Sequence, residues 1–384
     1  MVKKVKQEDN SDNRDFLKDL VKTINKDAGS EITFLLEDGS PSDVTKWVTT
    51  GSTILDYCIS NRRNGGAPIS KIIEIVGHYS TGKSLLAQLI CAAAQKQGAM
   101  IMYEDFEGTI DTNWAKTIGL DVNKNFIYSQ PNHLEEGFEM IFTTLRMIDE
   151  VEKQGKEPFP FTVIVVDSVA GAPVSADLET ENVDPGANMG LKARIISKNI
   201  TNLRGAAGRK NVLLIFLNQL KEKIGAMGYT DEAKFSTPGG KAIRYFSSAS
   251  MQISSVGKIK NKDNEIVGIK TAVKILKNRF GPGFRTAEFP IFFNRGIDDG
   301  KSILDYLSES RGVVKSAGGR NGMSYHFKGD DKETGLNEAE WLKLFKTDTV
   351  FRNRVEDLLE KDLVKHPESK EGEETSIEVA ENDI

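Results

Sequence analysis

The sequence predicts an α/β protein with a mainly parallel sheet covered by helices on both faces. Between residue 47 and about residue 293, short apolar runs alternate with helical stretches; the runs are IIEIV, AMIMYED, FTVIVVD and VLLIFLNQ. Such alternation is typical of βαβ units, in which a helix crosses over between parallel strands. SASMQISSV and GIKTAVKILKN follow as an expected strand pair, and the sequence contains no internal repeat.

A phosphate-binding loop is the most specific motif. Residues 77–84 read GHYSTGKS and match G-x-x-x-x-G-K-[ST]. The apolar residues 71–76 predict a strand before the loop, and residues 85–97 predict a helix after it. Backbone N–H groups would surround a polyphosphate, with Lys83 at the β- and γ-phosphates and Ser84 at Mg²⁺. We expect a nucleoside triphosphate at Gly77, His78, Tyr79, Ser80, Thr81, Gly82, Lys83, Ser84 and Leu85.

Polar residues at the ends of later strands could take part in hydrolysis of the nucleotide. FTVIVVD ends in Asp167, where a carboxylate could meet the Mg²⁺ shell, although strands also end in Asp through turn chemistry alone. AMIMYEDFEG supplies Glu104, Asp105 and Glu107, any of which could orient or deprotonate water. VLLIFLNQ places Gln219 at a strand tip, where it could sense a γ-phosphate or be an ordinary polar strand end.

Length and composition predict one large domain with smaller appendages. The chain has 384 residues, 39% hydrophobic and 28% charged, which is enough to bury a substantial core. Cys58 and Cys91 fit a reducing compartment and are expected in the core. We expect a cytoplasmic protein, because there is neither a signal peptide nor a run approaching eighteen apolar residues. The four histidines form no metal-ligand pattern.

Charge is concentrated at the C-terminus. The chain carries a net charge of −5, but residues 367–384 contain seven acidic residues and only Lys370. This tail is therefore −6 and the remainder about +1. A charged segment with so few aromatic residues is expected to be disordered. The overall negative charge therefore does not exclude DNA binding by the part of the chain before this tail.

The two ends of the chain predict smaller modules. Five apolar residues share one helical face between residues 13 and 25: Phe16, Leu17, Leu20, Val21 and Ile24. A strand, a turn and a polar linker follow. After Arg295, helical stretches around a short strand at SYHF predict a small α/β lobe. The expected boundaries are 1–46 for the helix and linker, 47–295 for the core, 296–366 for the lobe and 367–384 for the tail.

Eight stretches together resemble the RecA-type homologous recombinases of bacteria and bacteriophages. They are VTTGSTILDYCI, EIVGHYSTGKSLLAQLICAAAQKQG, EGTIDTNWAKTIGLD, VIVVDSVAGAPVSADLE, NMGLKARIISKNITNLRG, NVLLIFLNQLKEKIGAM, TPGGKAIRYFSS and VKILKNR. The resemblance implies a P-loop RecA-like ATPase core, an N-terminal oligomerisation arm and a C-terminal lobe. It implies a DNA-dependent ATPase that forms helical filaments on single-stranded DNA and exchanges strands with homologous duplex DNA.

The resemblance also assigns the nucleotide site. It implies that Glu107 is the catalytic glutamate, in preference to Glu104 and Asp105, and that Gln219 couples the γ-phosphate to DNA. Lys83 is then the catalytic lysine, and Ser84 and Asp167 hold the metal. Asp111 and Trp114 would hold the adenine, with Trp in place of the family's usual Tyr. Two further residues, Lys277 and Arg279, would reach the γ-phosphate of the adjacent protomer; the family usually has Lys at both positions.

Two DNA-binding loops are implied, at about 181–189 and 221–240. The implied DNA contacts are Met189, Gly190, Arg194, Ser197, Arg204, Lys221, Lys223, Gly239 and Gly240. Lys192 and Lys198 lie on the same helix as Arg194. Without the resemblance, such cations most commonly form a solvated helix face. Asp184-Pro185-Gly186 and Pro238 depart from the family pattern, so the residues that wedge between bases stay open.

The expected ligands are ATP and Mg²⁺. The expected partners are single- and double-stranded DNA, further copies of the chain in a filament, and possible single-strand-binding and mediator proteins, with no membrane. The protein would act in a bacterial cytoplasm or, if phage-encoded, in an infected cell. Two alternatives stay open: a RecA-fold hexameric helicase, and a non-catalytic paralogue that regulates filaments. The presence of Lys83, Glu107, Asp167 and Gln219 argues against the paralogue.

Overall fold

The structure is a computed structural model that describes residues 10–29, 31–38, 40, 43–156, 159–179, 189–222, 235–310, 312–317, 323–331 and 335–365. The chain divides into two compact units, Met1–Thr45 and Lys46–Ile384. The acidic tail at 367–384 and most of the two expected DNA loops lie outside the described residues.

The first unit contains the expected N-terminal helix, α1 (Asn10–Ala28). The side chain of Asn25 joins the helix end to the following segment: its Oδ1 accepts from the N–H groups of Ile32 and Thr33, both at 2.9 Å. The strand expected next is instead irregular backbone followed by a 3₁₀ turn at Leu36–Asp38. A strand needs a hydrogen-bonded neighbour, and the described part of this unit offers none.

A nine-stranded sheet forms the centre of the described part of the second unit. In spatial order its strands are β13 (Gly296–Ile297), β12 (Thr286–Phe292), β11 (Ile266–Asn278), β10 (Ala249–Lys260), β3 (Ile72–Gly77), β7 (Val212–Gln219), β6 (Thr162–Asp167), β4 (Met100–Asp105) and β5 (Phe126–Ser129). Neighbours from β10 to β5 are parallel, and those from β13 to β10 are antiparallel. The mainly parallel sheet and the expected β10–β11 pair are confirmed.

Shorter strand pairs lie outside this sheet. They are β1 (Trp47–Val48) with β2 (Ala67–Pro68), β8 (Lys221–Glu222) with β9 (Phe235–Ser236), and β14 (Val313–Ala317) with β15 (Met323–Phe327). The β8–β9 pair joins the two ends of the second expected DNA loop. It therefore brings the start of this loop close to its end.

Helices cover both faces of the sheet. One apolar layer includes α2 (Thr53–Ser60), α3 (Lys83–Lys96) and α4 (Thr112–Thr117); the other includes α5 (Leu134–Lys153), α7 (Met189–Arg209) and α8 (Ala242–Phe246), with the short α6 (Ser175–Glu179) before α7. In β6, Val163 and Val165 enter the first layer, whereas Ile164 and Val166 enter the second. Because both faces are buried, the central strands are continuous apolar runs without polar alternation.

The C-terminal lobe consists of α9 (Asp299–Glu309), β14, β15, α10 (Glu338–Thr347) and α11 (Thr349–Leu363). A capping box between Asn337 and Glu340 starts α10. Trp341 is only 1% exposed, and its ring lies 5.5 Å from that of Phe345 and 5.4 Å from that of Phe351. These rings belong to the same apolar layer as α2 and α3. The boundary at 295/296 therefore stays a prediction.

Both cysteines are buried free thiols, as the composition suggested. Burial raises the pKa of Cys58 to about 11 and raises that of Cys91 further. Both thiols therefore stay protonated and unreactive near neutral pH. Among the described helices, none has the length and apolar content needed to cross a bilayer.

Candidate functional site

The carboxyl ends of four neighbouring strands meet at one edge of the sheet. Gly77 at the end of β3 lies beside Gln219 at the end of β7. Asp105 at the end of β4 lies beside Asp167 at the end of β6, and β6 adjoins β7. Ligands of open α/β sheets bind outside such carboxyl ends. Residues separated by more than 100 positions in the chain thus form one candidate active site.

The loop between β3 and α3 has the geometry of a phosphate cradle. Gly82 precedes α3 with a φ of 98°, and no side chain caps the N-terminus of this helix. The Nζ atom of Lys83 donates to the carbonyl oxygen of His78 at 2.7 Å, and the Thr81 hydroxyl donates to the same oxygen at 2.9 Å. The loop is therefore folded on itself, while the helix N-terminus keeps backbone donors that suit an anion.

The other expected loop residues differ in exposure. Gly77 is buried, Leu85 is half-buried in the first turn of α3, and Ser80 has a positive φ of 55°. Tyr79 is 71% exposed at the tip of the loop. The expected loop is therefore present as one continuous turn from β3 into α3, with Tyr79 pointing outward.

Asp167 is a buried carboxylate with two hydroxyl partners. Tyr103 Oη donates to its Oδ2 at 2.7 Å, and the Ser84 hydroxyl is also hydrogen-bonded to it. Burial raises the pKa of Asp167, and these two hydrogen bonds oppose the rise. Tyr103 has no motif around it; inside an apolar strand, its sequence position indicates only core packing.

The oxygens of Ser84 and Asp167 fit Mg²⁺. Magnesium prefers oxygen ligands and usually takes only one or two from the protein, with phosphate and water completing its shell. In the described parts of the chain, no group of three His, Cys, Asp or Glu residues could bind a metal by itself. A metal held by two protein oxygens together with a nucleotide phosphate is consistent with this set.

Lys83 faces the carboxylates of this edge. Burial lowers the pKa of its ammonium group, whereas the negative charges of Asp167 and Glu107 act to raise it. A partly buried cation next to two carboxylates is an electrostatic arrangement typical of active sites. The P-loop lysine thus has counter-charges in the folded chain itself.

Glu107 is hydrogen-bonded on the side facing β7. Gln219 Nε2 donates to its Oε1 at 3.0 Å, and the Ser168 hydroxyl donates to the same oxygen. The loop that carries Glu107 is ordered by Asp105, whose carboxylate accepts from the N–H groups of Glu107 (3.2 Å) and Thr109 (2.7 Å). The two residues implied as base and sensor are therefore in direct contact.

The turn after β6 presses against Glu107. A Cβ atom at Gly171 would lie 2.9 Å from Glu107 Cγ and 3.0 Å from its Oε1. The N–H group of Gly171 donates to Ser168 Oγ at 3.2 Å. Sequence reasoning missed this glycine and Ser168, although both follow the expected strand-end Asp167 within four residues.

Glu104 lies on the other face of its strand. It is fully buried, and in the described part of the chain neither carboxylate oxygen has a hydrogen-bond partner. A Cβ atom at Gly137 of α5 would come within 3.0 Å of its Oε2. Burial raises the pKa of Glu104 well above its ordinary value. Glu104 therefore lies under α5, where burial favours its protonated form.

Asp111 and Trp114 are joined through a helix cap. The carboxylate of Asp111 caps α4 and accepts from the N–H groups of Asn113 (2.7 Å) and Trp114 (3.1 Å). The Trp114 ring is half-buried against the core. The implied adenine residues thus form one local unit.

The implied DNA residues collect around α7. Arg194 and Arg204 are exposed and Ser197 is half-buried, whereas Ile196 on the opposite face is buried. A Cβ atom at Gly239 would lie 2.2 Å from the Cδ1 atom of Ile196. The end of the second expected loop therefore lies against α7.

The remaining members of this set fall at the loop borders. Met189 and Gly190 begin α7, Lys221 is exposed at the start of β8, and Gly240 lies beside α7. Lys223 lies outside the described residues. These residues border the two expected loops, and which residues contact DNA stays a prediction.

Lys277 and Arg279 lie toward the opposite edge of the sheet. Gly77 pairs with Ile253, which pairs with Val273, four residues before Lys277 on β11. At 3.3 Å per residue, this corresponds to about 13 Å along the strand. Lys277 Nζ donates to the carbonyl oxygens of Tyr245 (2.6 Å) and Arg244 (2.9 Å). These two cations therefore do not join the P-loop of their own chain.

Comparison with known proteins identifies the family. A model of the RecA N-terminal domain matches residues 15–298. Protein RecA of Chlorobium chlorochromatii is 33% identical over 337 residues, covering 87% of each chain. Protein RecA of Thermus aquaticus is 34% identical over 330 residues, covering 86% of this chain and 90% of the relative. The chain belongs to the RecA family.

Family membership carries the general function. RecA proteins are DNA-dependent ATPases and recombinases of DNA repair, and the same holds for this chain. Nucleotide binding with a divalent metal, DNA binding and filament formation are consistent with membership. The hexameric helicase is not favoured, because the match extends across the chain and the relatives carry the RecA name.

Gly171→Ala should lower ATP turnover on single-stranded DNA by about tenfold or more, because the added methyl group displaces the Glu107 carboxylate. Steady-state ATPase kinetics measure the effect. Gly208→Ala is the matched control, since a Cβ atom there meets nothing closer than 3.9 Å. Equal turnover in both variants would show that the 168–172 turn does not position Glu107.

Glu104→Leu should stabilise the fold increasingly as pH rises. The unfolded chain releases the Glu104 proton above about pH 4.5 while the folded chain retains it, so wild-type stability declines with pH. At pH 8 the variant should gain about 1–3 kcal/mol in free energy of unfolding. Urea unfolding at pH 5 and 8 measures this. The exposed control Glu139→Leu should leave the pH dependence unchanged; an unchanged dependence in Glu104→Leu would mean that Glu104 is ionised.

Proposed function

We propose that this chain uses ATP and Mg²⁺ at the carboxyl edge of β3, β7, β6 and β4 to assemble on single-stranded DNA and exchange it with a homologous duplex. The observation that carries this proposal is the contact between Glu107 and Gln219, with Lys83 and Asp167 at the same edge. Base pairing selects the duplex, and the protein holds the DNA backbone. The cytoplasm of a bacterium or of an infected cell is the proposed location.

The triphosphate would lie along the loop of residues 77–84. The uncapped N-terminus of α3 supplies backbone donors, and Lys83 supplies a cation already held against the loop by His78. Ser84 and Asp167 are the residues that would hold Mg²⁺. When bound, Mg²⁺ would neutralise charge on the phosphate oxygens. The Trp114 ring would stack on the adenine, with Asp111 holding the helix that carries it.

Glu107 is the proposed general base. Its Oε1 accepts from both Gln219 and Ser168, which fixes the carboxylate and leaves Oε2 to take a proton from water. Gln219 lies two residues before Lys221, where the second expected DNA loop begins. A shift of that loop on DNA would therefore act on the glutamine that touches the base. This short connection is the proposed link between DNA binding and hydrolysis.

The ATP site is proposed to be completed by residues of the neighbouring protomer. Lys277 lies about 13 Å along the sheet from the level of its own P-loop, and Arg279 follows just beyond the end of β11. These positions support a role at another chain's nucleotide. An arginine at position 279 can form two parallel hydrogen bonds to a phosphate. Hydrolysis between two protomers would then weaken the filament and release DNA.

DNA is proposed to contact the exposed side of α7 and the adjoining loops. Arg194, Arg204 and Lys221 supply positive charge for phosphate groups, and Gly190, with open space at its Cβ position, allows close approach of a DNA backbone. Gly239 and Gly240 are proposed contacts at the end of the second loop. Met189, Ser197 and Lys223 complete the proposed contacts. Single-strand-binding and mediator proteins are further proposed partners, on the basis of the family alone.

Lys83→Ala and Glu107→Gln should separate binding from chemistry. Removing the phosphate cation should abolish ATP-dependent DNA binding, whereas Glu107→Gln should bind ATP and form filaments but turn over at least about 100-fold more slowly. Filament formation by electron microscopy, D-loop formation and ATPase rates measure the three steps. D-loops formed at the wild-type level by Lys83→Ala would contradict the proposed function. Glu104→Gln is the control and should retain turnover.

Mixed filaments test the assignment across the interface. The double variant Lys277→Ala/Arg279→Ala should lack DNA-stimulated ATPase alone, as should Lys83→Ala. Mixing them should restore part of the activity, because some interfaces then pair an intact P-loop with intact cations from the neighbour. Electron microscopy must show that mixed filaments form. Absence of recovery at every ratio would place both cations outside the ATP site.

A further inference from the structure

The helix that carries several of the expected DNA contacts, α7, has near its start a lysine whose side chain points inward. Lys192 lies just after the start of α7, and its neighbours Arg194 and Lys198 are exposed. The Nζ atom of Lys192 donates to the carbonyl oxygens of Ala172 at 2.6 Å and Ala170 at 3.2 Å. The ammonium group is thus bound to the protein's own backbone.

Those two carbonyl groups belong to the turn that supports the proposed base. Gly171 lies between them and touches Glu107: an added Cβ atom would be 2.9 Å from its Cγ. The N–H group of Gly171 also donates to Ser168 Oγ, and Ser168 donates to Glu107. Lys192 therefore binds the carbonyl groups on both sides of Gly171, the residue that contacts the Glu107 carboxylate. Movement at the start of α7 would move this turn.

The positive charge of Lys221, at the start of the second expected loop, also acts on Lys192. Its pKa is lowered to about 8, chiefly by burial and then by the neighbouring charge of Lys221, while Asp177 of α6 acts in the opposite direction. Lys221 is exposed and opens the second loop. A DNA phosphate beside Lys221 would offset its repulsion of Lys192 and strengthen the bonds to the carbonyl groups.

We propose that Lys192 is a positioning residue that ties the start of α7 to the 168–172 turn, so that DNA at the two loops sets the orientation of Glu107. This inference rests on the proposed role of Glu107 as general base. It differs from a phosphate contact, in which the ammonium group of Lys192 would face outward as the Arg194 side chain does. It also differs from simple packing, because an apolar side chain could fill the space but could not hold the carbonyl groups.

Lys192→Met tests the inference, since it keeps the length of the side chain and removes its donors. DNA-stimulated kcat should fall about tenfold through misplacement of Glu107. The KM for ATP and the affinity for single-stranded DNA, measured with a non-hydrolysable ATP analogue, should stay within about twofold of wild type. The salt dependence of DNA binding should also keep its slope. Lys192→Arg, which keeps charge and donors, should recover part of kcat.

The controls separate this inference from the proposed function. Lys46→Met removes a similar bond, from Lys46 Nζ to the Pro160 carbonyl oxygen at 3.2 Å, and should leave kcat unchanged. Glu107→Gln is measured in parallel: full turnover there would refute the proposed base itself. If circular dichroism shows that Lys192→Met does not fold, Lys192→Leu, which also lacks donors, is measured by the same criteria.

Three results would overturn the inference without affecting the proposed role of Glu107 as general base. The first is a kcat for Lys192→Met within about twofold of wild type. The second is weaker DNA binding with unchanged kcat and a salt slope smaller by about one, which would make Lys192 a phosphate contact. The third is an equal loss in the Met and Arg variants, which would make side-chain packing responsible.

Discussion

The pairing of β4, β6, β7 and β3 is the constraint on which the candidate site depends. Their parallel register sets Asp105 beside Asp167 and Gln219 beside Gly77. A slip of one residue in any pair would turn every side chain of that strand to the other face. Because both faces of these strands are buried, such a slip would exchange side chains between the two apolar layers and disrupt the packing of both. Packing of the two helix layers therefore determines the geometry of the candidate site.

The site concentrates buried polar groups that the fold has to satisfy. Asp167 is 3% exposed, and two hydroxyl groups offset the cost of burying it. Glu107 Oε1 accepts from Gln219 and Ser168, and Asp105 uses its carboxylate to order the loop that carries Glu107. Glu104 under α5 has no such donors, and burial raises its pKa well above the ordinary value. Glu104 and Asp105 thus have different surroundings, because successive residues of one strand face different layers.

Much of this arrangement was predictable from local sequence. The P-loop motif, the strand before it and the helix after it need only residues near one another in the chain. Burial on both faces explains why the central strands were recognisable as apolar runs. The strand expected after α1 was wrong, because strand propensity alone does not supply a pairing neighbour. Tyr103 and Gly171 carried no local signal, since a tyrosine in an apolar strand and a glycine in a turn are common.

The sequence by itself determined the P-loop, the order of strands and helices, and the strand-end residues Asp167 and Gln219. These features depend on side-chain pattern and on short-range turn chemistry, which act within a few residues. Only the tertiary structure decided that Gln219 touches Glu107, that Lys192 points inward and that Lys277 lies away from its own P-loop. Those facts depend on sheet register and helix packing between residues far apart in the chain, and no local pattern specifies them.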